Sequence, residues 1–250
     1  MWTLVRVFAA CLAALGTAGA LGCSEREAAA APPVVARRYI VGVDVSSSQT
    51  PTRREEARAL VNDLVGRLSF GDELAIVETY RAGSDSAGQW VTRAPPARRP
   101  NAPNANDRKQ LARFRERTRN LADGFFTPDP AHPVNTTDLL GMLQRVSDYA
   151  REGRPTTLLI VSDMLNSTPE LNMERGRGVP EARWIATRKA QNRLPGLGGV
   201  CVFVSGADVA SERGVRVREF WGQYFEAAGA SLAAANYRTL IADAATLRCP

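Results

Sequence analysis

The stretch Arg38-Tyr39-Ile40-Val41-Gly42-Val43-Asp44-Val45-Ser46-Ser47-Ser48 joins an apolar run to a carboxylate and a cluster of hydroxyls. The run is rich in valine and isoleucine and is bounded by polar residues, which is typical of a buried strand. Asp44, with Ser46 and Ser48 at the next alternate positions, puts three oxygen ligands on one loop. Small divalent cations such as Mg²⁺ prefer such hard oxygens. The stretch therefore predicts a strand that leads into part of a metal site.

Apolar runs and amphipathic stretches alternate along the rest of the chain. The periodicity predicts helices over 52–68, 138–151, 180–193 and 215–228, strands over 74–80, 89–92, 157–162 and 199–205, and then a short strand over 231–235 and a terminal helix. Continuously apolar strands separated by helices indicate a mostly parallel sheet with helices on both faces. Right-handed crossovers make this a doubly wound α/β fold, with a hairpin that supplies one antiparallel edge strand.

Two further polar loops belong beside the Asp44 loop. The first, Asn135-Thr136-Thr137-Asp138, leads into the helix predicted over 138–151. The second, Ser162-Asp163, lies at the end of the apolar strand predicted over 157–162. Loops that follow the carboxyl ends of parallel strands converge on one crevice of an open sheet. The sequence therefore predicts that Asp44, Thr137 and Asp163 lie close together.

These three loops, in this order, resemble those of the von Willebrand factor A domain family over about residues 37–245. The resemblance implies a three-layer α/β sandwich with a metal-ion-dependent adhesion site. Carried over by position, its ligands are Asp44, Ser46, Ser48, Thr137 and Asp163. It also implies Mg²⁺ as the cation, with Mn²⁺ or Ca²⁺ as alternatives, and a partner protein that offers Asp or Glu.

The chain departs from the family pattern at two places. Asn135-Thr136 stands where the family commonly has Gly-Gly, which leaves Thr136 as an alternative ligand to Thr137. Met164 follows Asp163 where glycine is frequent, and this predicts a reshaped loop at that point.

The residue types around the motif favour recognition over catalysis. A phosphatase that attacks through Asp44 would need an acid two positions later, and that position is Ser46. The sole histidine, His132, lies in a proline-rich loop and is a poor match for the base of a serine hydrolase. A metal-dependent hydrolase of phosphate or similar esters is one alternative, and a scaffold with a vestigial metal site is another.

The first 37 residues are predicted to direct export and not to join the fold. Residues 1–22 have the layout of a signal peptide, with Arg6 ahead of a short apolar run. Cys23 ends a stretch similar to a bacterial lipobox, so we expect a lipid-anchored envelope protein at the periplasmic or outer face. The segment Ala18-Gly19-Ala20 also fits ordinary cleavage, which would give a free periplasmic or secreted protein.

The remainder divides into a tether and a domain. Residues 23–37 are rich in alanine and read as a flexible tether, followed by a von Willebrand factor A-like domain over 38–250. Within that domain, 95–136 is predicted to be an inserted loop region, containing a basic helix, that borders the site and shapes the choice of partner.

Cysteine usage and charge agree with this view. Cys201 and Cys249 remain once Cys23 and the signal are set aside, and either a disulfide or two separate thiols fit an exported domain. The net charge of +6 comes with 30 arginines and two lysines. Because no aromatic residues interleave with the basic ones, no nucleic-acid partner is expected.

Overall fold

The chain forms one six-stranded sheet with helices on both faces. Its strands are β1 (Arg38–Val43), β2 (Glu73–Glu78), β3 (Gln89–Arg93), β4 (Thr156–Val161), β5 (Val200–Ser205) and β6 (Tyr237–Arg238), arranged in the order β3-β2-β1-β4-β5-β6. All neighbours are parallel except β3, which pairs antiparallel with β2 at the edge. This order confirms the predicted doubly wound α/β class with one antiparallel edge strand.

The computed structural model describes residues 35–46, 49–79, 89–127, 134–150, 153–174 and 178–249. The chain divides into two units, Met1–Pro32, which lies outside these ranges, and Pro33–Pro250. The predicted signal peptide, the lipidation at Cys23 and most of the tether fall outside the described residues, as do Ser48 and His132. Within the described ranges, no helix has the length and apolar character needed to cross a membrane.

Two hydrophobic cores separate the sheet from its helices. The helices are α1 (Pro51–Arg67), α2 (Ala105–Asp123), α3 (Leu139–Ala150), α4 (Ala182–Ala190) and α5 (Glu212–Ala227). The cores place α1 and α2 on one face, and α3, α4 and α5 on the other. Successive residues of a strand point to opposite faces, so in β4 Leu158 and Ile160 enter the α3 side while Leu159 and Val161 enter the α1 side.

A glycine in β1 allows α3 to pack closely on the sheet. A Cβ atom at Gly42 would lie 2.3 Å from Sδ of Met142, a separation that side chains do not tolerate. The middle of the strand that carries Asp44 is thus in direct contact with the helix that follows Thr137.

Two elements near the C-terminus differ from the prediction. The strand expected over 231–235 is wrong, because Ser231 makes only a single bridge to Cys201 and Ala234–Asn236 forms a 3₁₀ turn. The true edge strand, β6, begins at Tyr237. The expected terminal helix is one 3₁₀ turn, Ala244–Thr246.

The inserted region 95–136 is described over 95–127 and 134–136, and its influence on the choice of partner stays a prediction. Its main element, α2, packs along α1, and the Arg115 guanidinium donates hydrogen bonds of 2.9 and 2.6 Å to the carbonyl of Leu68, at the far end of α1 from Gln49. Helix α1 has 17 residues and so spans about 25 Å. Among the described residues of this region, those near Asn135 lie closest to the predicted site.

A buried ion pair occupies the amino end of the sheet. Arg38 and Glu73, opposite each other on β1 and β2, join through Nε and Oε1 at 2.8 Å, and the second oxygen of Glu73 accepts from Arg93 at 2.7 Å. Burial alone would raise the pKa of Glu73, but hydrogen bonds and charge from the two arginines outweigh it and lower the pKa below its ordinary value.

The two C-terminal cysteines meet near this same end. Cys201 is buried near the start of β5 and Cys249 is half-buried, both as separate thiols. Burial and a contact with the Cys249 thiol raise the pKa of Cys201 to about 12. Sγ of Cys249 also lies 3.3 Å from the hydroxyl of Thr157, the residue opposite Cys201 on β4. The bridge considered from the sequence stays a prediction for the oxidised protein.

Candidate metal centre

Asp44 lies at the carboxyl end of the central strand. Its backbone N–H donates to the carbonyl of Val161 at 3.0 Å, which continues the ladder between β1 and β4 by one residue. Only 4 % of its surface is exposed, so nearly all of its hydrogen bonds must come from the protein.

Five donors from the described part of the chain converge on the Asp44 carboxylate. Oδ1 accepts from the backbone N–H of Ser46 at 3.0 Å, and the hydroxyls of Thr79 and Thr137 lie at 3.4 and 3.5 Å from it. Oδ2 accepts from the Ser162 hydroxyl at 2.8 Å and from the Gln49 amide at 3.2 Å. None of the five is charged, so the negative charge of Asp44 is solvated by dipoles and is not neutralised by these donors.

Thr137 is held in place from its own backbone. Its N–H donates to Oγ of Ser167 at 2.8 Å, and its carbonyl accepts from the Ser167 N–H at 2.9 Å. The neighbouring Asn166 side chain accepts from the N–H groups of Leu139 and Leu140 and thereby caps the start of α3. The loop after β4 thus positions the threonine that precedes α3.

Asp163 brings a second carboxylate to the same place. It is half-buried, and Oδ1 accepts from the N–H of Leu165 at 2.9 Å. Burial raises its pKa to about 6, with a further contribution from the charge of Asp44, although the Leu165 hydrogen bond and Arg53 act in the opposite direction. Two carboxylates therefore share a region in which negative charge is poorly compensated.

Met164 bends the chain sharply after Asp163. Its φ is +64°, in the left-handed region that favours glycine, although its side chain is fully buried. The Trp221 indole N–H donates to the Met164 carbonyl at 2.8 Å, so α5 holds this turn from the opposite side. A strained residue next to a candidate site is consistent with a conformation fixed by its surroundings.

The structure brings together four of the five predicted ligands. Asp44, Ser46, Thr137 and Asp163 all lie at this end of the sheet, and Ser48 is outside the described residues. Between the two threonine candidates, Thr137 is buried and contacts Asp44. Thr136 is half-buried, and no hydrogen bond from its side chain to Asp44 occurs in the described structure.

Sequence reasoning did not identify three partners of Asp44. Thr79 and Ser162 each follow the last residue of a neighbouring parallel strand, and this shared position is a signal that would have found them. Gln49 carries no such signal, because its amide reaches Asp44 only through the turn that precedes α1.

The donor set fits a hard divalent cation. Apart from the Gln49 amide nitrogen, the side-chain atoms named around Asp44 that could bind a metal are oxygens. Oxygen ligands suit Mg²⁺, Mn²⁺ or Ca²⁺ better than a softer metal. No group of three or more histidine, cysteine, aspartate or glutamate side chains that could hold a metal occurs among the described residues. With two predicted carboxylate ligands, Asp44 and Asp163, and otherwise neutral oxygens, a cation here would keep much of its positive charge.

Comparison with known proteins leaves the family open. No family model matches the chain, and no curated protein matches it. Solved structures similar to it include the pilus adhesin SpaC from Lactobacillus rhamnosus GG in its open conformation, at 12 % identity and a TM-score of 0.43 over 76 % of this chain. A von Willebrand factor type A structure from Catenulispora acidiphila gives 14 % identity and 0.35 over 78 %. Manganese-loaded TRAP protein of Plasmodium vivax gives 13 % and 0.37 over 85 %.

The chain is shorter than these similar structures. It spans 27 % of the pilus adhesin, 43 % of the Catenulispora protein and 70 % of TRAP. Likeness at these identities and TM-scores does not transfer an activity. The evidence for function is the arrangement of side chains around Asp44.

Proposed function

We propose that this domain is a protein-binding module of the von Willebrand factor A type, which binds Mg²⁺ at the carboxyl end of its sheet. The observation that carries the proposal is the convergence of neutral donors on Asp44 beside the second carboxylate, Asp163. Asp44, Ser46, Thr137 and Asp163 would hold the cation together with Ser48, and Mn²⁺ or Ca²⁺ could replace Mg²⁺.

The side chains have separate roles in this proposal. Asp44 orients the hydroxyls of Thr137 and Ser162, since each donates to one of its carboxylate oxygens. Asp163 contributes negative charge at the rim, where its raised pKa reflects burial and the nearby charge of Asp44. A bound cation supplies an electrophilic position for the Asp or Glu side chain of a partner protein.

The hydrolase alternative would need one of the site's carboxylates as its general base. The side chains that donate to Asp44 are hydroxyls and an amide, none of which accepts a proton near neutral pH. Catalysis would therefore have to rest on Asp44 or Asp163, and the raised pKa of Asp163 makes it the better candidate. Hydrolysis of p-nitrophenyl phosphate that requires Asp163 would contradict the binding proposal.

In the cell, we propose that the domain acts in the bacterial envelope. Lipidation at Cys23 and the tether 23–37 would anchor it to a membrane. β1 begins at Arg38, the residue that follows the tether in sequence, and ends beside Asp44. A six-residue strand gives a separation of about 20 Å.

Cation binding can be tested by thermal unfolding. A ligand that binds only the native state at ten times its Kd adds about 1.4 kcal/mol, or about 4 °C for a domain of this size. We expect Mg²⁺ to raise the Tm of the wild type and to leave that of Asp44→Ala unchanged. The matched control is Asp243→Ala, because Asp243 pairs with Arg67 at the other end of α1. A wild-type Tm that Mg²⁺ does not change would favour the vestigial site.

A second pair of variants tests which threonine takes part. Thr137→Ala removes a hydroxyl that faces Asp44, so we expect Mg²⁺ affinity to fall about tenfold, by analogy with the loss of one hydrogen bond to a charged group. Thr136→Ala should leave the affinity within a factor of two of the wild type. Isothermal titration with MgCl₂ measures both, and equal losses for the two variants would reject the assignment of Thr137.

A further inference from the structure

A narrow cleft opens directly beside the metal centre. It runs between the first turns of α1 and the loops that follow β4, β5 and β6, and it shares Gln49 and Ser162 with the shell around Asp44. Its volume of about 10 Å³ is barely enough to admit one water molecule. A partner would therefore lie across the rim of this cleft and would not enter it.

Arg53 supplies a positive charge on the α1 side of the cleft. Its backbone N–H is taken by the cap residue Thr50, but its half-buried side chain makes no ion pair with a described residue. It lines the cleft together with Ser162 and Gly206, which belong to the loops after β4 and β5.

The positive charge of Arg53 matters once a cation occupies the site. A divalent cation would offset the carboxylates of Asp44 and Asp163, and Arg53, which makes no ion pair with a described residue, would keep its guanidinium available to an anionic group. Glu56, on the same side of the cleft, is exposed and well solvated, so its charge is more strongly screened. The rim is thus suited to a second contact with an anionic group.

Leu240 supplies an apolar surface on the opposite side. It is 45 % exposed, one of four large apolar side chains exposed to this degree among the described residues, and the one that lines the cleft. The segment that carries it is fixed at both ends. The Gly206 N–H donates to the Thr239 carbonyl at 3.0 Å, and the Ile241 N–H donates to the Ser205 hydroxyl at 3.0 Å.

A glycine brings two loops on the Leu240 side of the cleft together. Gly206 has a φ of +109°, and a Cβ atom there would lie 3.0 Å from the carbonyl oxygen of Ser162. Because the loops after β4 and β5 touch at this point, Leu240 is held near the metal centre with its side chain in solvent. Little conformational entropy remains to be lost when a partner covers it.

We propose that the partner presents a short extended segment in which an acidic side chain is adjacent to an apolar one, with Arg53 contacting the acid and Leu240 the apolar neighbour. This inference rests on the proposed function, since the acid is the one that would complete the cation's coordination. The two contacts determine specificity: Arg53 favours an acid over its amide, and Leu240 favours an apolar neighbour over a polar one.

Selection from a displayed library of random heptapeptides, performed on the purified wild-type protein with about 5 mM Mg²⁺, tests this assignment. We expect peptides with an Asp or Glu next to Leu, Ile, Val or Phe to be enriched, and EDTA to abolish the enrichment. The best peptide is then titrated by fluorescence anisotropy. We expect Arg53→Ala and Leu240→Ser each to weaken its binding about fivefold, as removal of one surface charge contact or one partly buried apolar contact should.

Matched controls are available for both variants. Arg58→Ala removes an exposed arginine one turn further along α1, where it pairs with Glu55, and Leu121→Ser removes an exposed leucine from α2. Both should bind the selected peptide as the wild type does. Leu240→Ser should also lose discrimination between the peptide and its apolar-to-serine analogue, an effect that simple destabilisation would not produce.

The Mg²⁺-dependent Tm separates the two levels of inference. If Mg²⁺ does not stabilise the wild type, the proposed function fails. If Mg²⁺ does stabilise it, two results overturn the present inference: no acidic-apolar peptide is enriched, or Arg53→Ala and Leu240→Ser bind like their controls.

Discussion

The two ends of the sheet each hold a buried carboxylate, one among cations and the other among uncharged hydrogen-bond donors. At the amino end, Glu73 is bound by the cations Arg38 and Arg93, and its pKa is lowered. At the carboxyl end, Asp44 is bound by uncharged donors and has the carboxylate of Asp163 nearby, whose pKa is raised to about 6. Of these two carboxylates, only Glu73 is neutralised by paired arginines among the described residues. The second end is therefore the one suited to an external cation, although both are similarly buried.

The largest loss of stability is expected from a mutation at the amino end of the sheet. Glu73→Gln removes the carboxylate that pairs with Nε of buried Arg38, and breaking a buried pair in this way costs about 3–5 kcal/mol. Chemical denaturation measures this loss. Glu55→Gln, which breaks an exposed pair with Arg58, should cost less than about 1 kcal/mol. If Glu73→Gln weakened Mg²⁺ binding as strongly as Asp44→Ala, the two ends would not be independent.

A disulfide bond at the amino end would have the next largest effect on the free energy of unfolding. The neighbouring thiols of Cys201 and Cys249 are expected to form a disulfide when the protein is produced in an oxidising compartment. Reduction of a bridge that closes a loop of this length should lower the free energy of unfolding by about 2–4 kcal/mol. Mass spectrometry after alkylation shows whether the bridge exists. A Cys201→Ser variant as stable as the untreated wild type would rule out this contribution.

At the carboxyl end, the sign of a mutation should depend on the cation. Asp163→Asn removes a carboxylate that repels Asp44, so in EDTA we expect it to stabilise the protein by about 1 kcal/mol. In saturating Mg²⁺ the same variant should be less stable than the wild type, because a ligand has been lost. Thermal unfolding under both conditions reveals the crossover. A variant that is destabilised equally in both conditions would assign Asp163 a purely structural role.

The smallest effect is a change in the acid dependence of stability. The folded-state pKa of Glu73 lies below its ordinary value of 4.5, so the unfolded chain binds more protons in this range. The contribution of Glu73 is therefore present above that value and is lost as the pH falls through the folded-state pKa. Denaturation between about pH 6 and 3 should show a shallower decline for Glu73→Gln than for the wild type. An identical slope would mean that other carboxylates dominate acid unfolding.

The sheet could be predicted because its signals are local. Val41 and its neighbours in β1, like Leu159 in β4, belong to short apolar runs bounded by polar residues, and each run forms a strand. The convergence of Asp44 and Asp163 followed from the rule that the carboxyl ends of parallel strands share one edge, whereas Thr137 came from the family resemblance because no strand precedes it directly. Ser231 was misassigned because a single bridge and a 3₁₀ turn have no distinct periodicity.

The remaining features depend on register and side-chain direction. The Arg38–Glu73 pair requires knowing that these two residues face each other across β1 and β2. Similarly, the contact of Gln49 with Asp44 depends on the path of one turn, and the fixed position of Leu240 depends on hydrogen bonds from Gly206 and Ile241. Such contacts connect parts of the chain far apart in sequence, and no local pattern encodes them.

The position of β1 has a mechanical consequence. Tension applied between the segment ahead of Arg38 and a partner held at Asp44 would act along the axis of a single strand. That strand is paired with β2 on one side and β4 on the other, so its hydrogen bonds would be loaded together in shear and not opened one at a time. Loading of this kind would let the domain resist a pull with little deformation of its two cores.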